Sequence, residues 1–280
     1  MSNARIVTDS AADLDPEVIR DLGIVVVPHR IQLGTETLSD DPELRSAEFY
    51  KKNVKKRGLP ALLPPSAREF TVAYTELARE ADEIVSIHVS SELVNTYSMA
   101  NQGKLGFAGR GRISVVDSGL ISRAQGILVE EAARAAMGGA SAADIIRLVR
   151  GMMPRLYLAF HVDSISPLVR SGLLPAPRRN TELSSTPKTL FLLEEGQVVP
   201  FHRTRSRGTA TERLTEFLLE FVDLQQLAVL HSGLDTTRKD ELVTMLQGHF
   251  PPEMIQEHVY GLALGAFVGL SALAVVAFEG

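Results

Sequence analysis

The chain has no cysteine among its 280 residues, which excludes disulfides and thiolate metal sites and is compatible with a reducing cytoplasm. Nor does it carry an excess of positive charge. Lys and Arg number 29 against 34 Asp and Glu, a net charge of −5, so nucleic acid is not the expected main partner. It lacks the Gly-rich pattern of a P-loop or dinucleotide fold, the Gly-X-Ser-X-Gly elbow of many hydrolases, and the His-Glu-X-X-His of zinc enzymes. The seven histidines are scattered, so neither a metal nor a cofactor is expected. The polar N-terminus enters a strand at once, without the apolar run of a signal peptide. What the chain does have is apolar bulk: 45% of its residues are hydrophobic, enough for the core of one large or two ordinary domains.

Four stretches share one design, a short apolar run ending in a small hydroxyl residue. They are Arg5 to Ser10, Ile84 to Ser91, Ile113 to Ser118 and Leu227 to Gly233. Each is rich in β-branched residues and bounded by polar residues or Gly, the pattern of a buried strand. Strand C-termini in open α/β sheets converge on the ligand crevice, which places Ser10, Ser90, Ser91 and Ser118 around one.

Between these strands lie helix signals. Asp15-Pro16 starts a helix closed by Leu22-Gly23, and Ile24 to Val27 is a second strand. Glu43 to Lys56 reads as a polar helix whose end, Lys51, Lys52, Lys55, Lys56 and Arg57, is a solvated basic cluster. Leu59 to Pro65 reads as a proline-rich loop. Ser66-Ala67-Arg68-Glu69 is a capping box opening a helix, and Ser141 to Asp144 resembles another. Further helices are expected at Thr96 to Phe107 and Ile127 to Met137. Strand–helix alternation to about residue 150 implies a doubly wound parallel sheet over 1–150. Beyond it come a strand (Leu156 to Val162), a hairpin turning at Glu194 to Gln197, helices at Leu214 to Val222 and Thr237 to Leu246, and an apolar C-terminus. Residues 151–280 therefore read as an α+β domain.

Val259 to Phe278 is twenty residues without a charge, long enough to span a bilayer, and Gly261, Gly265 and Gly269 repeat at the spacing of membrane helix pairs. The other reading is a strand, a Gly-rich turn or short helix, and a buried last strand; no basic cluster flanks the run. An enzyme is the competing functional class, since Asp9/Ser10, His88, Asp117/Ser118 and His231/Ser232 hold the residue types of a Ser–His–Asp hydrolase. His88, however, sits within an apolar strand, where a histidine is usually a satisfied core residue.

In order and spacing, Val7-Thr8-Asp9-Ser10-Ala11-Ala12-Asp13-Leu14, Pro65-Ser66 before Phe70, Ser90 to Tyr97, Val116-Asp117-Ser118, Lys188 and Arg203-Thr204-Arg205 make the chain resemble the DegV family from end to end. The resemblance implies a bacterial, cytoplasmic carrier of an N-terminal α/β and a C-terminal α+β domain. Such a carrier encloses a long-chain fatty acid, is not itself a catalyst, and in some cases hands its ligand to a kinase subunit that phosphorylates the carboxylate. It also implies that Val259 to Phe278 is a glycine-rich turn and core strand rather than a membrane span.

The chain departs from the family pattern where the family's polar headgroup residues are expected. Leu62, Val94 and Phe267 stand where the resemblance implies Thr, Ser and His, and Ser171-Gly172-Leu173-Leu174 replaces a Gly-Gly-Arg-Ile turn. A carboxylate buried without hydrogen bonds is costly, so it would protonate or be excluded. Ser66, Asn95, Thr96, Arg203 and Arg205 are the candidates to compensate, and Ser118 at its strand end is a further candidate ligand-binding residue. Arg203, Arg205 and Arg207 would share one face of a strand, either toward a headgroup or as a solvated edge. Three outcomes stay open: a fatty acid held in a new way, a neutral lipid, or a pseudo-carrier whose pocket is filled by Leu62, Val94 and Phe267.

Overall fold

A computed structural model describes residues 4–54, 58–109, 111–176, 190–201 and 208–280. The chain divides into two compact units. Unit 1 comprises residues up to Gln32, Thr37–Pro42 and Leu62–Pro154; unit 2 comprises Leu33–Glu36, Glu43–Ala61 and Arg155–Gly280.

Unit 1 is built on a four-stranded parallel sheet in the order β2-β1-β6-β7, formed by Val25–Val27 (β2), Ala4–Asp9 (β1), Glu83–His88 (β6) and Arg112–Asp117 (β7). Such a sheet must be covered on both faces, and the middles of its strands are correspondingly rich in Ile and Val. Alternation sends Val7, Ile84, Ile113 and Val27 to one face, where they pack with Phe70, Tyr74, Leu77 and Ala100. These come from α3 (Ala67–Leu77) and α4 (Thr96–Leu105). The expected capping box is present: Ser66 Oγ accepts from Glu69 N–H, and the Glu69 carboxylate accepts from Ser66 N–H. Gly103 lets the two helices close up, since a Cβ there would lie 2.5 Å from Phe70 Cβ and 2.7 Å from Ala67 O. Also in unit 1 are α1 (Pro16–Asp21), α5 (Arg123–Met137) and α6 (Ala142–Met152). Gly126 of α5 seats that helix against the backbone after β1, where a Cβ would come within 2.6 Å of Ala12 O.

Unit 2 holds a six-stranded mixed sheet, β10-β9-β8-β13-β11-β12. The strands are Leu156–His161 (β8), Leu190–Glu194 (β9), Gln197–Phe201 (β10), Leu224–His231 (β11), Ile255–Val259 (β12) and Leu273–Glu279 (β13). Only β11 and β12 are parallel neighbours; the other pairs are antiparallel. Its core gathers Leu214, Phe217 and Leu218 of α8 (Ala210–Leu218) and Leu242 and Leu246 of α9 (Thr237–Gln247) against Leu227, Val229, Val275 and Ala277. The remaining helices are α7 (Ser166–Arg170) and α10 (Leu262–Val268). The charge-free run thus breaks into α10 and β13, and no helix among the described residues is long and apolar enough to cross a membrane.

Three short strands escape the sequence reading. Arg30–Leu33 (β3), Glu36–Ser39 (β4) and Ala61–Leu63 (β5) form a small sheet ordered β4-β3-β5, so the expected loop at 59–65 contains a strand. Over its described part, the expected helix at 43–56 is instead a 3-10 turn, a three-residue helix (α2, Ala47–Phe49) capped by Ser46, and a π turn over Tyr50–Val54, while Lys55, Lys56 and Arg57 of the expected basic cluster lie outside the described residues. Helix α5 begins at Arg123, four residues before the expected Ile127.

Candidate functional site

The C-terminal ends of the parallel strands carry a closed polar network. β1 ends at Asp9, β6 at His88 and β7 at Asp117. His88 is therefore at the strand tip, not in its interior as the sequence suggested. Its Nδ1 lies 2.8 Å from Asp9 Oδ2 and its Nε2 lies 2.6 Å from Ser86 Oγ, which in turn contacts Tyr74 OH at 2.9 Å. A carboxylate only accepts, so His88 Nδ1 carries the proton, Nε2 accepts from Ser86, and Ser86 accepts from Tyr74. The Asp–His–Ser order is that of a hydrolase, but all three residues are fully buried and Tyr74 caps the serine.

A second chain runs beside it. Ser10 Oγ donates to Asp40 Oδ2 (2.7 Å) and accepts from His29 N–H (3.0 Å). His29 Nδ1 lies 3.2 Å from Ser10 Oγ and 3.8 Å from Asp9 Oδ1, and its Nε2 lies 2.8 Å from Thr96 Oγ1. Because the Ser10 proton goes to Asp40, Ser10 can only accept from His29 Nδ1. The imidazole then carries its hydrogen on Nδ1 and accepts the Thr96 hydroxyl on Nε2. Burial pushes His29 down to about 4, against the pull of Asp9, so the ring is neutral near pH 7. Burial would raise the Asp9 carboxyl, but attraction to His29 and the hydrogen bonds from His88 and Val89 N–H outweigh it and hold Asp9 below the usual range. Ala11 N–H and Gln125 Nε2 add a third and a fourth donor to Asp9, at 3.1 and 3.2 Å.

These networks decide what the candidate residues of unit 1 can offer. Thr96 is fully buried and bonded to His29. Ser66 donates to its own cap partner Glu69 at 2.6 Å. Ser118 is buried and donates to Leu120 O at 3.3 Å while accepting from Leu120 N–H. Asn95 is exposed and makes no side-chain cap bond, and Val94 and Leu62 are half-buried. Ser90 Oγ accepts from Glu92 N–H, and Ser91 N–H donates to Asp117. Arg203, Arg205, Arg207 and Lys188 lie outside the described residues. His29, Asp40 and Gln125, which join this network, belong to no motif that singles them out in the sequence.

In unit 2, Phe267 is buried in α10, whose seven residues are all buried. The loop that follows has four consecutive carbonyls held by side chains. Tyr260 OH donates to Gly269 O (2.9 Å) and Ala272 O (3.3 Å), Ser232 Oγ donates to Leu270 O, and Arg238 Nη2 donates to Ser271 O (2.6 Å). Asp163 orients Arg238 through two bonds, and Tyr50 OH donates to Tyr260 O at 2.8 Å. Arg170 fixes the segment leading into β5 by donating to Leu59 O and Pro60 O at 3.0 and 2.6 Å. The His231/Ser232 pair forms no nucleophile–base bond: His231 Nδ1 accepts from Gly233 N–H and Ser232 is spent on Leu270. Among the described residues no group of three His, Asp or Glu could hold a metal ion.

A parallel α/β unit followed by a mixed-sheet unit, with a buried Asp–His pair closing the strand ends, defines a two-unit α/β architecture. The model of the DegV family, described as uncharacterised proteins, matches residues 3–280, and the chain belongs to that family. It is 30% identical over 276 residues to a DegV domain-containing protein of Halalkalibacterium halodurans, covering 96% of each chain. The crystal structure of DegV of Bacillus subtilis, described as a fatty acid binding protein, superposes with a TM-score of 0.84 at 25% identity and full coverage of both chains. A DegV family protein of Thermus thermophilus has the same fold, with a TM-score of 0.85 at 24% identity over 99% of this chain and 100% of that one.

Proposed function

We propose that this protein binds and carries a long-chain lipid of the fatty-acid class, with a headgroup site more apolar than is usual in its family. The observation that carries this reading is the end-to-end likeness, in sequence and fold, to a relative described as a fatty acid binding protein. In this reading Leu62, Val94 and Phe267 line the headgroup end, the apolar C-terminal half (151–280) houses the tail, and the carrier works in the cytoplasm. It performs no chemistry itself and presents its lipid to a separate kinase subunit. The sealed Asp9–His88–Ser86 array supports a carrier over a hydrolase, because a fully buried serine capped by a tyrosine has no path to substrate.

Native mass spectrometry of the purified protein, with solvent extraction and identification of what is released, tests the reading. One long-chain lipid per chain at high occupancy is expected. A protein that arrives empty, and stays empty when offered lipid, would instead be a pseudo-carrier acting through protein contacts. Labelling by a serine-reactive probe would reopen the hydrolase.

A further inference from the structure

Unit 1 has an open cleft of about 500 Å³ at the start of β1, the opposite end of that strand from Asp9. A volume of this size is typical of small-molecule sites. Three elements supply its apolar walls: Ile6 of β1, Leu22 at the end of α1, and Ala133, Ala136 and Met137 toward the end of α5. Met137 is 66% exposed, an adaptable apolar surface left open to solvent. The charge in the cleft comes from Arg5, whose Nη2 donates to Gly23 O at 3.2 Å. Among the described residues this is its one side-chain hydrogen bond, and no carboxylate pairs with it. A guanidinium carries five N–H donors in a planar fork, so most of the fork is left for an acceptor. Arg20 and Asp21 also line the cleft, but they offset each other at 2.9 Å. The last carbonyls of α1 and α5 would otherwise attract a cation; they accept instead from the N–H groups of residues 22–24 and 138–140. The cleft therefore pairs one uncompensated cation with an apolar wall.

We propose that this cleft binds a small carboxylate with an apolar body. The carboxylate takes the open side of the Arg5 guanidinium, whose fork matches its two oxygens, and the body lies on Leu22, Ala136 and Met137. The site is independent of the lipid-carrier reading, because every residue that lines it belongs to unit 1 and none belongs to the polar network at the strand ends.

Full-length protein, as purified, is titrated by calorimetry with phenylacetate, phenethylamine and phenethyl alcohol, which share a body and differ in charge. Phenylacetate is expected to bind at least about tenfold tighter than either of the others, the equivalent of about 1.4 kcal/mol. It is also expected to shift the backbone amide signals of Gly23 and Gly139, which border the cleft. The amine or the alcohol binding as tightly as phenylacetate overturns the proposal, and so does binding of none of them. Arg5→Gln, which can still donate to Gly23 O, is expected to weaken phenylacetate at least about tenfold and to leave phenethyl alcohol within about twofold. Ala136→Leu, at a half-buried helix position, narrows the cleft without touching Arg5 and is expected to weaken both. Unchanged phenylacetate affinity in either folded variant would mean that the ligand sits elsewhere and would overturn the site.

Discussion

His29 shows how one residue ties stability to pH. Its imidazole is neutral in the folded chain because burial lowers it to about 4, whereas an unfolded histidine titrates near 6.5. The unfolded chain therefore binds more protons between these values, and stability falls as pH drops from about 6.5 toward 4. The full effect is on the order of 3 kcal/mol. His161 and His231 are also lowered by burial and act with the same sign, while Asp9, held low, loses its contribution only at more acid pH. Denaturant unfolding from pH 8 to pH 4 should show this loss, and His29→Asn, which keeps a donor and an acceptor but cannot titrate there, should show a shallower one. An identical slope in the variant would assign the acid sensitivity to the other two histidines. The sequence marks His88 by its place in an apolar run and Asp9 by its motif. It gives no sign of His29, because the contacts that bury it come from Ser10 and Thr96, 19 and 67 residues away.

Elements whose signals are local were legible. The capping box at Ser66 needs only Ser and Glu three residues apart, and both reciprocal bonds form. The same chemistry recurs at Thr209 and Glu212. Replacing Ser66 with Ala should cost about 1 kcal/mol in denaturant unfolding and leave lipid affinity within about twofold, since its hydroxyl is already spent on Glu69. A loss of affinity well beyond the stability change would return Ser66 to the headgroup. The hairpin between β9 and β10 turns through Glu195 and Gly196, both at positive φ (49° and 82°), as a two-residue turn of this hand requires. Glu is poorly suited to that conformation, so Glu195→Asn should raise the unfolding midpoint by the equivalent of about 0.5 kcal/mol. No gain would show that the Glu195 side chain makes a compensating contact. What the sequence hid were β3, β4 and β5. They are three or four residues long; β4 is mostly exposed and β5 lies among prolines, so neither period nor composition separates them from loops.

At the scale of the whole chain, the α/β fold class follows from the buried runs and the helices between them, while the proposed headgroup site rests on positions where the family resemblance implies other residues. Leu62 and Val94 lie in unit 1 and Phe267 in unit 2, so no local pattern could have joined them; only the resemblance does. If these three residues mark a headgroup site made apolar, supplying polar side chains there together should restore a carboxylate's partners. Hydrogen bonds to a charged group contribute about 1.5–3 kcal/mol each, so even one well-formed bond amounts to roughly a tenfold gain. The triple variant Leu62→Thr, Val94→Ser, Phe267→His should therefore bind oleate at least about tenfold tighter than the parent chain, read by native mass spectrometry with both proteins stripped of lipid. Phe267 is buried, and its replacement costs stability, so thermal unfolding is followed in parallel and only a folded variant is compared. A folded triple variant with no gain for oleate would show that these three positions do not form the headgroup site. The weight would then pass to Arg203 and Arg205, whose replacement by Gln should weaken lipid binding if they hold the headgroup and leave it unchanged if they form a solvated edge.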